Sequence, residues 1–134
     1  MGPGLRRDDE KGANTALIPL WRAVAGIGGF FSVAAGAGAA HRTGDPHAAE
    51  LLRTGAPYGV VHAAALLAVS LGASPLRPAL ATAGWAFAAG IVLFSGSLFA
   101  LAVSGWQSFA WVTPFGGVAL MLGWLAVAAT ARGR

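Results

Sequence analysis

The chain has 134 residues, 56% of them hydrophobic and 10% charged, with a mean hydropathy of +0.65 and a formal net charge of +4. Soluble domains carry about 25% charged residues, and a chain this short cannot enclose so much apolar surface in one water-exposed core, so composition excludes a soluble enzyme. The absence of cysteine excludes disulfides, thiolate metal sites and thiol nucleophiles, and the scattered basic residues do not make the dense patch that nucleic-acid binding needs.

The charges fall in clumps. Asp, Glu, Lys and Arg are missing between Arg22 and Arg42, between Arg53 and Arg77, and between Arg77 and Arg132. At about 1.5 Å of rise per residue, such gaps match a hydrocarbon core about 30 Å thick, and the last has room for two crossings and a turn. The expected fold is all-α: an integral membrane four-helix bundle occupying 19–131 as a single domain. A polar tail at 1–18 precedes it and a basic end at 132–134 follows.

In chain order, the tail is charged and punctuated by Gly and Pro, which predicts a solvated, poorly ordered segment. The first span runs from about Leu20 to Ala40, with Trp21 and Arg22 as an interfacial anchor; a cleaved signal peptide is the rival reading of its basic start and small-residue end. Asp45 and Pro46 read as an N-cap and first helical residue of a short amphipathic surface helix between spans 1 and 2. In it Ala48, Leu51, Leu52 and Gly55 share one side, and His47, Glu50, Arg53 and Thr54 the other. The second span covers about Pro57 to Ala73, and a tight loop around Ser74, Pro75 and Arg77 leads to a third from about Ala79 to Val103. Trp106 and Trp111 anchor the next turn. Thr113 and Pro114 read as cap and first-turn proline of the fourth span, which continues to about Thr130. With four crossings, seven basic residues lie on the side of the termini and two on the other, so the positive-inside rule places both termini in the cytoplasm.

Association of helices in lipid relies on close packing and a few polar contacts. Small residues recur at four-residue spacing in the first span (Gly28, Ser32, Gly36, Ala40) and in the third (Gly84, Ala88, Gly96, Ala100). Gly116, Gly117, Ala119 and Gly123 serve the fourth. These are the expected packing positions, and Gly36→Leu is expected to disturb the fold more than Leu101→Ala at a lipid-facing site.

Several blocks occur together in order: GAGAAH at 36–41, Tyr58 followed one turn on by His62, LFSGSLF at 93–99, WVTPFGG at 111–117, and GW at 123–124. Over roughly 20–131 the chain resembles the domain-of-unknown-function 423 family, also called transmembrane-protein-256-like. The resemblance implies four spans in a bacterial inner membrane or a related organelle and no particular activity.

Ionisable residues inside a membrane are functional candidates by default. His41 closes the first span and His62 lies in the second, where neighbouring antiparallel helices would let the two imidazoles meet. A proton relay, a metal pair, haem ligation, or a neutral histidine bonded to a carbonyl or to Ser95 or Ser97 are the readings open to them. Asp45 and Glu50 lie outside the spans, so no carboxylate supports a metal, and neither metal nor cofactor is expected. Ser95 and Ser97 lack the partners of a catalytic triad. The leading expectation is a non-enzymatic accessory or scaffolding protein of the bilayer, packing against a larger membrane complex or as a homo-oligomer. A proton or small-solute transporter using His41 and His62, and a haem-binding redox subunit, are the alternatives.

Overall fold

The computed structural model describes residues 3–41, 44–72 and 77–132. Arg42, the Ser74–Pro75 part of the loop and Arg134, all used above, lie outside the described residues. Helix α1 is Pro3–His41, α2 is Pro46–Ser70 and α3 is Pro78–Gly90. A π-helical segment, Ile91–Gly96, joins α3 directly to α4, Ser97–Ser104, so these three form one rod. Helix α5 is Ser108–Ala129, and a 3-10 turn at Thr130–Arg132 follows it.

Three sequence expectations change. The segment before the first span, expected to be poorly ordered, is helical: α1 runs from Pro3 onward, and Pro19 sits inside it. The surface helix and the second span are one element, α2. Asp45 does cap it, its carboxylate accepting the backbone N–H groups of His47 (3.0 Å) and Ala48 (3.1 Å), with Pro46 next. Pro57, where the break was expected, is held mid-helix, since a proline removes only one N–H and a membrane helix tolerates that loss. Likewise, Thr113 and Pro114 do not cap α5, which begins at Ser108. The Thr113 hydroxyl lies 3.2 Å from the Phe109 carbonyl one turn back, a bond internal to the helix.

Helix α1 packs along α2, α2 lies between α1 and the α3–α4 rod, and α5 covers the rod elsewhere. Helix α1, the rod and α5 are long and apolar enough to cross a membrane. Half of the rod's most apolar stretch is buried, against 17% for α1 and for α5, so these two helices present the outer faces. Helix α2 is less apolar but has protein on two sides. One core cluster gathers Trp21, Leu66, Phe87, Ile91 and Leu120, and a second gathers Ala39, Ala48, Leu52 and Ala102 around the α1–α2 turn. At the other end Arg77 donates to the Thr130 carbonyl (3.3 Å), tying the start of the rod to the end of α5.

Glycines set the approach distances. A Cβ built on Gly116 would strike the backbone of Leu93 and Phe94. One on Gly123 would lie 2.5 Å from the Phe87 ring, and one on Gly28 would lie 2.8 Å from Ile91. Ser32, fully buried, fills the notch at Gly59, and Gly36 faces Ala56 at an ordinary 3.5 Å. Gly117 makes ordinary contact with the Phe94 ring at 3.6 Å. Gly96 differs: its nearest neighbour would be 3.8 Å away, so helix packing does not demand glycine there. Close approaches at Gly55, Gly59 and Gly90 were not anticipated. Trp21 is no interfacial anchor; it is completely buried, its ring held in the space left by Gly84 and edge-on to Trp85. Leu101 is also buried rather than lipid-facing.

Gly116→Ala must push two backbones apart and is expected to cost about 1–3 kcal/mol, the range for overpacking. Gly36→Ala has room and gains helix propensity of about 1 kcal/mol, so it is expected to melt at or above the parent. Thermal unfolding in one detergent, with the exposed Leu125→Ala as reference, checks the order; equal loss in the two glycine variants would contradict it.

Candidate functional site around His62

His62 is carried on α2 and is 6% exposed. Its Nδ1 lies 2.6 Å from the Tyr58 carbonyl, which can only accept, so Nδ1 carries the proton. Nε2 then accepts from the indole Nε1–H of Trp124 on α5 at 3.0 Å. The imidazole is thus neutral with both nitrogens engaged. It lies parallel to Tyr58 at 6.1 Å between ring centroids, with Phe87 at 5.8 Å and Trp124 at 6.0 Å. Phe87 meets Trp124 at 5.1 Å and Tyr58 meets Phe94 at 4.9 Å, closing an aromatic cluster across α2, the rod and α5.

The expected meeting of His41 and His62 does not occur. Ser32 faces Gly59, Gly36 faces Ala56 and Gly29 faces Ala63, so His41 is level with about residue 51 of α2. That is about 11 residues from His62, or roughly 16 Å at the helical rise of about 1.5 Å per residue. His41 is exposed at the end of α1. A histidine pair for haem or a relay is therefore not assembled, and His62 has no nitrogen lone pair left for a metal. Among the described residues no group of three or more His, Asp or Glu side chains gathers to hold a metal ion.

The serines act separately. Ser95 in the π-helical segment is buried and donates to the Gly55 carbonyl of α2 at 2.9 Å. Ser97 Oγ and Thr113 Oγ1 are 2.7 Å apart, one donating to the other, joining α4 to α5. Each also lies near a carbonyl of the preceding turn, Phe94 for Ser97 (2.9 Å) and Phe109 for Thr113. The predicted residues His62, Ser95 and Ser97 are brought to helix contacts, but not to one another by hydrogen bonds. Sequence reading missed Trp124 as the partner of His62. The available signal was chemical: an indole N–H in an apolar setting seeks an acceptor, and an intramembrane imidazole can supply one.

Trp124→Phe is expected to cost about 1 kcal/mol, within the range measured for interhelical hydrogen bonds in membranes. A double-mutant cycle with His62→Ala, followed by reversible unfolding in mixed micelles, reads the coupling directly. Additive losses would show that the bond contributes nothing.

Comparison with known proteins agrees with a membrane-embedded chain. The family model described as "Protein of unknown function (DUF423)" matches residues 35–117. A UPF0382 membrane protein of Haemophilus influenzae is 40% identical over 109 residues, covering 76% of this chain and 85% of the relative. The UPF0382 membrane protein YwdK of Bacillus subtilis is 39% identical over 84 residues, covering 61% and 68%. The UPF0382 inner membrane protein YgdD of Escherichia coli K12 is 38% identical over 109 residues, covering 75% and 79%. No solved structure matches the chain. An all-helical chain with three membrane-spanning-capable elements, matched over most of its length by these proteins, belongs to the DUF423 family of membrane proteins.

Proposed function

We propose that this protein is a non-enzymatic accessory or scaffolding subunit that packs against a larger membrane complex. The observation that carries the reading is how its interior polar groups are used. His62, Ser95, Ser97 and Thr113 are spent on bonds that hold helices to one another. A catalytic or conducting group needs a free lone pair or exchangeable proton facing substrate, and His62 offers neither. What the fold does offer is two outer helices, α1 and α5, whose long apolar faces include Phe30, Phe31, Phe115 and Leu125, all exposed.

The setting proposed is the bacterial inner membrane, as the name of the Escherichia coli relative suggests. All four helical elements cross it, α2 shielded by α1 and the rod, and both termini are cytoplasmic. The charge count supports this orientation: Arg6, Arg7, Lys11, Arg22, Arg77 and Arg132 belong to one side.

Two measurements test these statements. Mild-detergent capture of the tagged protein from native membranes, with native mass determination, is expected to return a stoichiometric membrane-protein partner; a monodisperse homo-oligomer alone would overturn the accessory reading. Reporter fusions at the C-terminus are expected to give the cytoplasmic signal, and an outward signal would reverse the orientation.

A further inference from the structure

A groove of about 370 Å³ runs between α1 and the π-helical part of the rod, with walls that include Ile27, Phe31, Val92 and Phe99. Three features set it apart from an ordinary gap between helices. Ser32 lies on its floor, is 1% exposed, and its hydroxyl has no hydrogen-bond partner. An unpaired hydroxyl buried away from water costs about 1–3 kcal/mol, and no water in the bilayer core can relieve it. Ser95 also lines the groove but already donates its hydrogen bond to the Gly55 carbonyl. Second, Gly96 also lines the groove, and its lack of a side chain is unexplained by helix packing, since a Cβ there would meet nothing closer than 3.8 Å. What its small size does preserve is the groove. Third, the groove coincides with the π-helical turn Ile91–Gly96, a deviation found frequently at functional sites.

We propose that this groove binds a lipophilic carbonyl compound of the prenylated-quinone class, with the Ser32 hydroxyl donating to its carbonyl oxygen. The depth of Ser32 selects the ligand. It is the middle residue of the run from Ala23 to His41 that lacks Asp, Glu, Lys and Arg, which places it near the bilayer midplane. Phospholipid ester carbonyls sit at the hydrocarbon boundary, about 15 Å away in a core about 30 Å thick. A carbonyl reaching Ser32 must therefore belong to a molecule whose polar group itself enters the core. Apolar walls take the tail, and Phe31 and Phe99 give the groove aromatic surface for a planar head. The hydroxyl fills the Gly59 notch in this structure, so the contact proposed requires it to turn to another staggered χ1 position.

The probe is decylubiquinone, titrated into the full-length protein in phospholipid nanodiscs, with decylbenzene as the equivalent molecule lacking a carbonyl. Saturable binding of the quinone and a downshift of its carbonyl stretching band in the infrared are expected. Ser32→Ala is expected to weaken binding about fivefold, the equivalent of one hydrogen bond of about 1 kcal/mol, and to abolish the downshift while leaving the phospholipid ester band unchanged. Gly96→Leu is expected to block binding while melting like the parent; if it melts lower, Val92→Trp at the exposed wall replaces it. Non-saturable uptake, equal affinity and band position in Ser32→Ala, or equal competition by decylbenzene would each overturn the proposal, the last by showing a plain hydrocarbon slot.

Discussion

The distance between helix backbones is the constraint on which the rest of this structure depends. Lipid tails are as apolar as leucine, so burying one aliphatic side chain against another gives little net drive for association in a bilayer. Stability must come from atoms that approach closely enough for dispersion to accumulate. Gly116 lets α5 reach the backbone of the rod at Leu93 and Phe94, and Gly123, Gly90, Gly84 and Gly55 each leave space filled by one larger neighbour: Phe87, Leu120, Trp21 and Phe99. The pattern is a set of bulky side chains lodged over glycines, with the small residues and their partners on different helices.

Close approach brings polar groups together in a medium that cannot solvate them, and most of the buried ones are answered from within. Ser95 ties the rod to α2, Ser97 and Thr113 tie it to α5, and His62 joins α2 to α5 through Trp124. With His62, Ser95, Ser97 and Thr113 used as fasteners, little is left for chemistry among them, which supports the packing role proposed for the chain. Among the described residues, the buried exceptions are the indole N–H of Trp21 and the hydroxyl of Ser32. Trp21 is wedged in the core against Gly84 and Trp85, whereas Ser32 lies among the residues that line a groove, and that difference makes only the second a binding candidate.

The sites that sequence reading ranked highest and the sites the fold uses overlap incompletely. His62 was found because an ionisable residue in an apolar run is conspicuous. Its partner was not, because Trp124 lies 62 positions away and nothing local marks the pair. His41 and His62 are joined in the sequence only by the expectation that antiparallel neighbouring helices let their imidazoles meet. One continuous α2 instead sets the antiparallel register and holds the two histidines apart. Ser32 was read as one rung of a small-residue ladder. Its unpaired hydroxyl depends on three helices at once and could not be seen from α1 alone.

Composition and charge spacing by themselves determined that the chain is helical and membrane-embedded, because transfer of charge into hydrocarbon is penalised regardless of how the helices are arranged. The Asp45–Pro46 start of α2 was equally legible, since capping is a contact between near neighbours. Only the tertiary structure decided where the helices end, as with Thr113 and Pro114 inside α5 and Pro57 inside α2. It also decided which glycines are contact points and that Gly96 is not. A proline's missing N–H or a glycine's missing Cβ is the same in every context; its consequence is set by the neighbouring helix, which lies far away in the chain.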